Sequence, residues 1–286
     1  MSTPPELARP PAGSADPVSA RAAWSGLAAL TDLVGKTFAI ADMEVRKLRH
    51  DPTELLTRAV QPALWLLLFG QVISRGNIVP TGGLAYLDFL VPGILAQSVL
   101  FVAIFNGISI IWERDLGIVH KFLASPTPRA AFVLGKAVGS GVRALAQALV
   151  VVALAVLLHV RVHWDPLALL GVVLLILLGA AVFSTFSLII ACLVKTRERF
   201  MGIGQVLTMP LFFASNAIYP TSMMPGWLRV VSHLNPLTYL VDGLRTLLLA
   251  GAGPSVVGLS TDFAVLAATL VALVVVSARL YPNIVR

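Results

Sequence analysis

The 286-residue chain is 57% hydrophobic and 12% charged, with a mean hydropathy of +0.88, whereas a soluble globular chain carries about 25% charged residues. That balance excludes a water-soluble enzyme or binding module. Lys and Arg number 21 against 14 Asp and Glu, a net charge of +7; because the basic residues flank apolar runs, membrane orientation accounts for the excess and no nucleic-acid partner is expected. The single cysteine, Cys192, cannot form an intrachain disulfide and reads as a small buried hydrophobe.

Residues 1–25 are rich in Pro, Ala and Ser without an apolar period, the composition of a disordered tail. The first long apolar run begins near Ala59, so no secretory leader is expected and the N-terminus is expected to be retained. Residues 26–50 predict an amphipathic interfacial helix. Leu30, Val34, Phe38, Ala41, Val45 and Leu48 form one stripe, and Lys36, Arg46, Lys47 and Arg49 take other faces, which suits a helix lying along the cytoplasmic membrane surface. Packing on a soluble partner would give the same period. Residues 51–286 form the transmembrane domain.

Asp51, Pro52 and Glu54 make a helix start, with an acceptor at the cap, Pro at the first helical position and a carboxylate behind it. The first span follows over 52–74, with Arg58 snorkelling to one interface. Further apolar runs at about 88–111, 131–158, 167–194, 200–218 and 263–280 bring the spans to six, an all-α polytopic fold. An even count puts both termini on one side. That side carries 17 of the basic residues, Lys136 and Arg143 among them, against Arg75, Arg161, Arg229 and Arg245, so both termini are expected in the cytoplasm.

Residues 219–250 then lie outside. Pro225 starts one short helix, and Asn235 followed by Pro236 caps a second running to about Ala250. Each is too short to cross, which predicts an interfacial or re-entrant hairpin oriented by Asp242 and Arg245, three apart on one face and able to pair.

Asp88, Glu113, Asp165 and Asp262 fall at span ends, so a proton- or ion-coupled carrier, which needs a titratable residue near the midplane, is disfavoured. No filter-like string or charged ring suggests a channel. No P-loop is present: Gly35-Lys36-Thr37 has Leu30 where the first Gly belongs, and Gly135-Lys136 runs into Ala137. An ATPase driving this chain would be a separate polypeptide, with ATP and Mg bound there and no cofactor here. His159 and His163 have a helical metal-ligand spacing but lack a third ligand beyond Asp165, so no metal is expected.

The segment 112–129 between spans two and three joins Glu113, Arg114 and Asp115 to a turn at Gly117, an apolar stripe of Leu116, Val119 and Leu123, and a stop at Pro126-Thr127-Pro128. So apolar a loop points to a protein partner on that side. It resembles the coupling segment of type-2 ABC exporter permeases, the family of daunorubicin-resistance and polysaccharide- or teichoic-acid-export membrane subunits. The likeness is carried by Glu113, Arg114, Gly117, Leu123, Thr127, Pro128, Gly135 and Lys136. It is also carried by Pro210, Ser215, Pro220, Pro225, Trp227, Leu228, Asn235, Pro236, Tyr239 and Arg245, and it covers 30–280. Asn216 departs from the Gly the family often has there.

The resemblance implies a dimer, with a second copy or a paralogue, bound to two cytoplasmic ATPase subunits. Glu113, Arg114, Asp115, Gly117 and Leu123 would dock the ATPase. Spans one, two and five would line the route, which selects Gln61, Trp65, Gln71, Gln97, Gln205, Thr208 and Phe212. Asn106, Gln147, Ser184, Thr185, Ser187, Ser215 and Asn216 are further polar residues within spans, of the kind that most often pair between helices. Gly202, Gly204 and Pro210 make span five bendable. A mostly apolar route suits amphiphilic drug-like or lipid- or glycan-type cargo. The competing reading is a membrane scaffold recruiting a cytoplasmic partner; an intramembrane enzyme would need a nucleophile–base pair or metal cluster.

Overall fold

The computed structural model describes residues 53–76, 79–81, 83–117, 129–194, 196–251 and 255–280, together with Gly35, Ala39, Asp42 and Arg46. Those four are helical and exposed, and an Arg46–Asp42 ion pair at 2.8 Å joins one turn of them. The predicted stripe itself, Leu123, and the stretch from Val119 to Pro128 lie outside the described residues.

The helices are α1 (Thr53–Leu64), which continues through a π turn (Trp65–Phe69) into α2 (Gly70–Gly76), then α3 (Tyr86–Asp115), α4 (Arg129–Leu157), α5 (Pro166–Leu193) and α6 (Arg197–Phe213). After a short 3-10 turn come α7 (Gly226–Leu234), α8 (Pro236–Leu248) and α9 (Leu259–Leu280). Every predicted span is helical. Four of them, α3, α5, α9 and α4 from Val133, are long and apolar enough to cross a membrane. The first segment is divided instead: the Gly70 N–H reaches back five residues to the Trp65 carbonyl, just after Pro62 removes a donor. The fifth ends at Phe213, short of the expected 218.

The core is α3 against α5, with α4 on one flank and α8 and α9 on the other. Two glycines let α3 sit this deep. A Cβ on Gly93 would overlap the backbone of Ala217, and one on Gly107 would meet Ser187 and Phe200. Most of α9 presents Val271, Val275 and Val276 outward, the surface expected against lipid.

Local caps explain the breaks. Asp165 accepts from the Ala168 N–H at 2.9 Å and is followed by Pro166. Asn235 accepts from the Leu237 N–H at 3.0 Å while its amide donates to the Leu211 carbonyl at 2.6 Å, which fixes the α7–α8 hairpin onto α6. Between α4 and α5 the chain turns at His159, whose φ is +62°, and Val162 bridges antiparallel to Leu249. His159 and His163 are thus not on a helix, and their spacing loses its metal-binding sense. The bundle therefore has a loop end, where α3 meets α4 beside segment 118–128, and a hairpin end formed by α7, α8 and the α4–α5 turn.

Candidate functional site

At the loop end the two stems of the 118–128 segment are joined by a buried ion pair: Lys136 Nζ lies 2.7 Å from Glu113 Oε1, with the two residues 2% and 4% exposed. Glu113 therefore faces α4 rather than outward. Arg114 donates to Asp115 Oδ1 at 3.2 Å and to the Val194 carbonyl at 3.2 Å. Asp115 also accepts from Arg197 at 2.9 Å, and the Arg197 guanidinium stacks 3.8 Å over Trp112. Gly117 ends α3 with φ +72°. The three charged residues expected to face a partner thus form two layers: Glu113 ties α3 to α4, and Arg114 with Asp115 ties α3 to the α5–α6 junction.

Seven residues back along α3 and seven forward along α4 comes a second pair, where Arg143 donates to Asn106 Oδ1 at 3.1 Å. Arg143 is equidistant from the two ends of α4 and buried, so it marks no interface. Lys136 and Arg143, expected on the sequence as charges of the cytoplasmic side, instead sit inside the bundle. On α4, Lys136, Ser140, Arg143 and Gln147 recur at spacings of 4, 3 and 4 and are all buried, which makes one polar seam facing α3. An ionisable residue at such depth is a functional candidate in its own right. An Arg within an apolar run was the available signal for it.

Beyond the seam α1, α3 and α4 enclose a cavity of about 400 Å3, with Gln61, Gln97 and Gln147 in its wall. Of the expected route residues, Gln61 and Gln97 meet here. Trp65 and Phe212 pack instead at 5.7 Å between ring centroids, joining the π turn to α6. Thr208 is buried and bonded to the Gly204 carbonyl, while Gln71 and Gln205 are exposed. Gln147, on the third span, completes the cavity wall.

The hairpin end is built differently. Arg245 donates to the Asn216 carbonyl at 2.8 Å and the Phe89 carbonyl at 3.4 Å, and stacks 3.8 Å over the Phe89 ring. Asp242 bonds Ser255 Oγ at 2.8 Å and the Val257 N–H at 3.2 Å. The expected exposed Asp242–Arg245 pair is thus replaced by two residues anchored separately, Asp242 being 2% exposed. Arg161 pairs with Asp88 at 3.3 Å.

Long apolar helices around a buried polar seam define an integral membrane protein. Residues 36–249 match the family model described as ABC-2 type transporter. The chain is 29% identical over 203 residues to the putative transport permease ycf38 of Cyanophora paradoxa, covering 70% of each. It is 26% identical over 211 residues, 74% of each, to the daunorubicin resistance ABC transporter permease protein DrrB1 of Streptomyces coeruleorubidus. With the inner membrane transport permease YadH of Escherichia coli K12 it shares 27% over 224 residues, 76% of this chain and 83% of that one. The chain belongs to the ABC-2 type transporter family, whose members are membrane permeases that work with ATPase subunits.

Proposed function

We propose that this chain is the permease subunit of an ATP-driven exporter, moving amphiphilic drug-like or lipid- or glycan-type molecules out of the cytoplasm. A second permease copy or paralogue and a cytoplasmic ATPase complete the complex. On this reading the chain crosses six times, with α1–α2 and α6 as the two less regular spans, and both termini and the loop end face the cytoplasm. Energy enters where segment 112–129 seats on the ATPase. One observation carries the reading: the stems of that segment are cross-linked by charge, α3 to α4 through Glu113–Lys136 at 2.7 Å and α3 to the α5–α6 junction through Asp115–Arg197 at 2.9 Å.

A push on the loop would therefore move three helix ends as a unit. Buried pairs hold their geometry because separating them leaves charge in a medium that solvates it poorly. The parts that yield are the π turn after α1 and the Gly- and Pro-containing α6, joined by Trp65 and Phe212. The substrate preference rests on the cavity wall, where carboxamides sit among Phe101, Val102 and Phe105.

Affinity purification of the tagged chain from its own host, followed by an ATPase assay, tests the proposal. An associated nucleotide-hydrolysing subunit is expected, lost on Arg114→Glu with Asp115→Arg. Recovery of a partner without ATPase activity would favour the scaffold reading.

A further inference from the structure

Behind segment 255–258 at the hairpin end, two buried carboxyls face one hydroxyl. Asp242 of α8 and Asp262 in the first turn of α9 are 2% and 0% exposed. Ser255 Oγ lies 2.8 Å from Asp242 Oδ2 and 2.9 Å from Asp262 Oδ2, and it accepts from the Gly258 N–H at 2.9 Å. A hydroxyl carries one proton and two lone pairs. With one lone pair taken by Gly258, Ser255 donates to one carboxyl only, and the other contact needs a proton supplied from the carboxyl side. Asp242 Oδ2 already accepts from the Val257 N–H at 3.2 Å, the setting of a carboxylate. Asp262 Oδ1 is buried and meets no donor among the described residues, the setting of the carbonyl oxygen of a neutral acid. Two like charges this close do not both persist without a cation, and among the described residues neither carboxyl is in an ion pair.

We infer that Asp242, Ser255 and Asp262 form a one-proton binding site: the Asp262 acid donates to Ser255, Ser255 donates to Asp242, and the bound proton fastens the start of α9 to α8. This ligand needs no cavity, only heavy atoms at hydrogen-bond distance. A metal ion fits poorly, because the Val257 and Gly258 N–H groups already point at the Asp242 and Ser255 oxygens it would use. Ser255 is half-buried whereas both carboxyls are buried, so the proton enters and leaves through its hydroxyl. The other charged groups nearby are engaged or turned away. On α8, Arg245 is held by the Phe89 and Asn216 carbonyls. Packed against both helices, α5 has no charged residue between Pro166 and Leu193. Asp88 of α3 is taken by Arg161 of the α4–α5 turn, where His159 and His163 are exposed and Asp165 caps α5. On α4, Lys136 is engaged by Glu113 and Arg143 by Asn106. Loss of the proton would leave two carboxylates on one hydroxyl, and segment 255–258 with the start of α9 would come away from α8. On the orientation proposed above the site reads the pH of the outer face; the proton binding itself does not depend on that orientation.

Infrared spectra of the full chain in an uncharged, ester-free detergent test the site, because a neutral carboxyl has a C=O stretch that a carboxylate lacks. At neutral pH the wild type should show one such band. It should vanish in Asp262→Asn, remain in Glu113→Gln and disappear as pH is raised. Asp242→Asn removes the neighbouring charge and should weaken proton binding by about tenfold. Melting temperature gives a second readout. The folded chain keeps a proton that an unfolded aspartate releases above a pH of about 4. The stability of the wild type relative to Asp262→Asn, a fixed neutral stand-in, should therefore fall as pH rises from there and level off once the folded pair has released its proton. Absence of the band from the wild type at neutral pH, its survival in Asp262→Asn, or a margin between the two chains that does not change with pH overturns the site. So does a band that appears only after chelation or removal of salt, since a cation then holds the pair. Should Asp262→Asn fail to fold, the wild-type band and its response to Asp242→Asn decide alone.

Discussion

The two ends of the bundle hold their charged residues by different means. At the loop end charge meets charge across helices, as in Glu113–Lys136 and Asp115–Arg197. At the hairpin end, apart from the Asp88–Arg161 pair whose arginine is exposed, charged groups are held by backbone and neutral groups: Arg245 by the carbonyls of Phe89 and Asn216, and Asp242 by the Ser255 hydroxyl and the Val257 N–H. Side-chain pairs can be exchanged for other side chains, including a partner's, without moving the main chain. Carbonyls and amides are fixed by the fold itself. The loop end is thus suited to transmitting force and the hairpin end to holding shape.

Breaking the buried pair should have the largest effect. Lys136→Met leaves the Glu113 carboxylate inside the bundle without its cation and should destabilise by about 3–5 kcal/mol, read as a lower melting temperature in lipid nanodiscs. The exchange Glu113→Lys with Lys136→Glu should recover at least half of the loss if side-chain pairing is what counts. For Arg245 at the hairpin end no such exchange is available: Arg245→Met strands two carbonyls and should cost about 2–3 kcal/mol, and Arg245→Lys should recover little because a point charge cannot fork between them. Gly93→Ala tests main-chain fit with no charge involved. Its new methyl overlaps Ala217, and a loss of about 1–3 kcal/mol is expected. Asp115→Asn should have the smallest effect on stability, under about 1 kcal/mol, because the pair is partly exposed. If the loop end transmits force, that variant should nonetheless lower the permease-stimulated rate of the associated ATPase at unchanged melting temperature. An unaltered rate would reduce Asp115 to a solvated charge and erase the contrast between the ends.

Features that depend on neighbouring residues in sequence were legible. The apolar runs gave every long helix, and Asn235-Pro236 located the hairpin because a cap and a fixed φ act within one turn. The pairing of α3 with α4 was not legible. Whether Arg143 meets Asn106 or lipid depends on the relative height of two helices joined through segment 118–128, and no local pattern encodes that height. The same gap makes Lys136 read as a flanking charge in the sequence alone. Of the residues expected along a route, Gln61 and Gln97 line one cavity, because carboxamides signal polarity wherever they lie, whereas the packing of Trp65 on Phe212 is visible only once α6 is seen against the π turn.

The seven-residue interval between Glu113–Lys136 and Asn106–Arg143 makes α3 and α4 a keyed pair. Sliding one past the other by a single turn, about 5.4 Å, would bring Glu113 level with Ser140 and carry the Arg143 guanidinium to the height of Ile110, an apolar neighbour in place of an amide. Intermediate offsets match neither key. Relative slippage is therefore blocked at every small displacement, and any stroke delivered to one of these helices must be travelled by both.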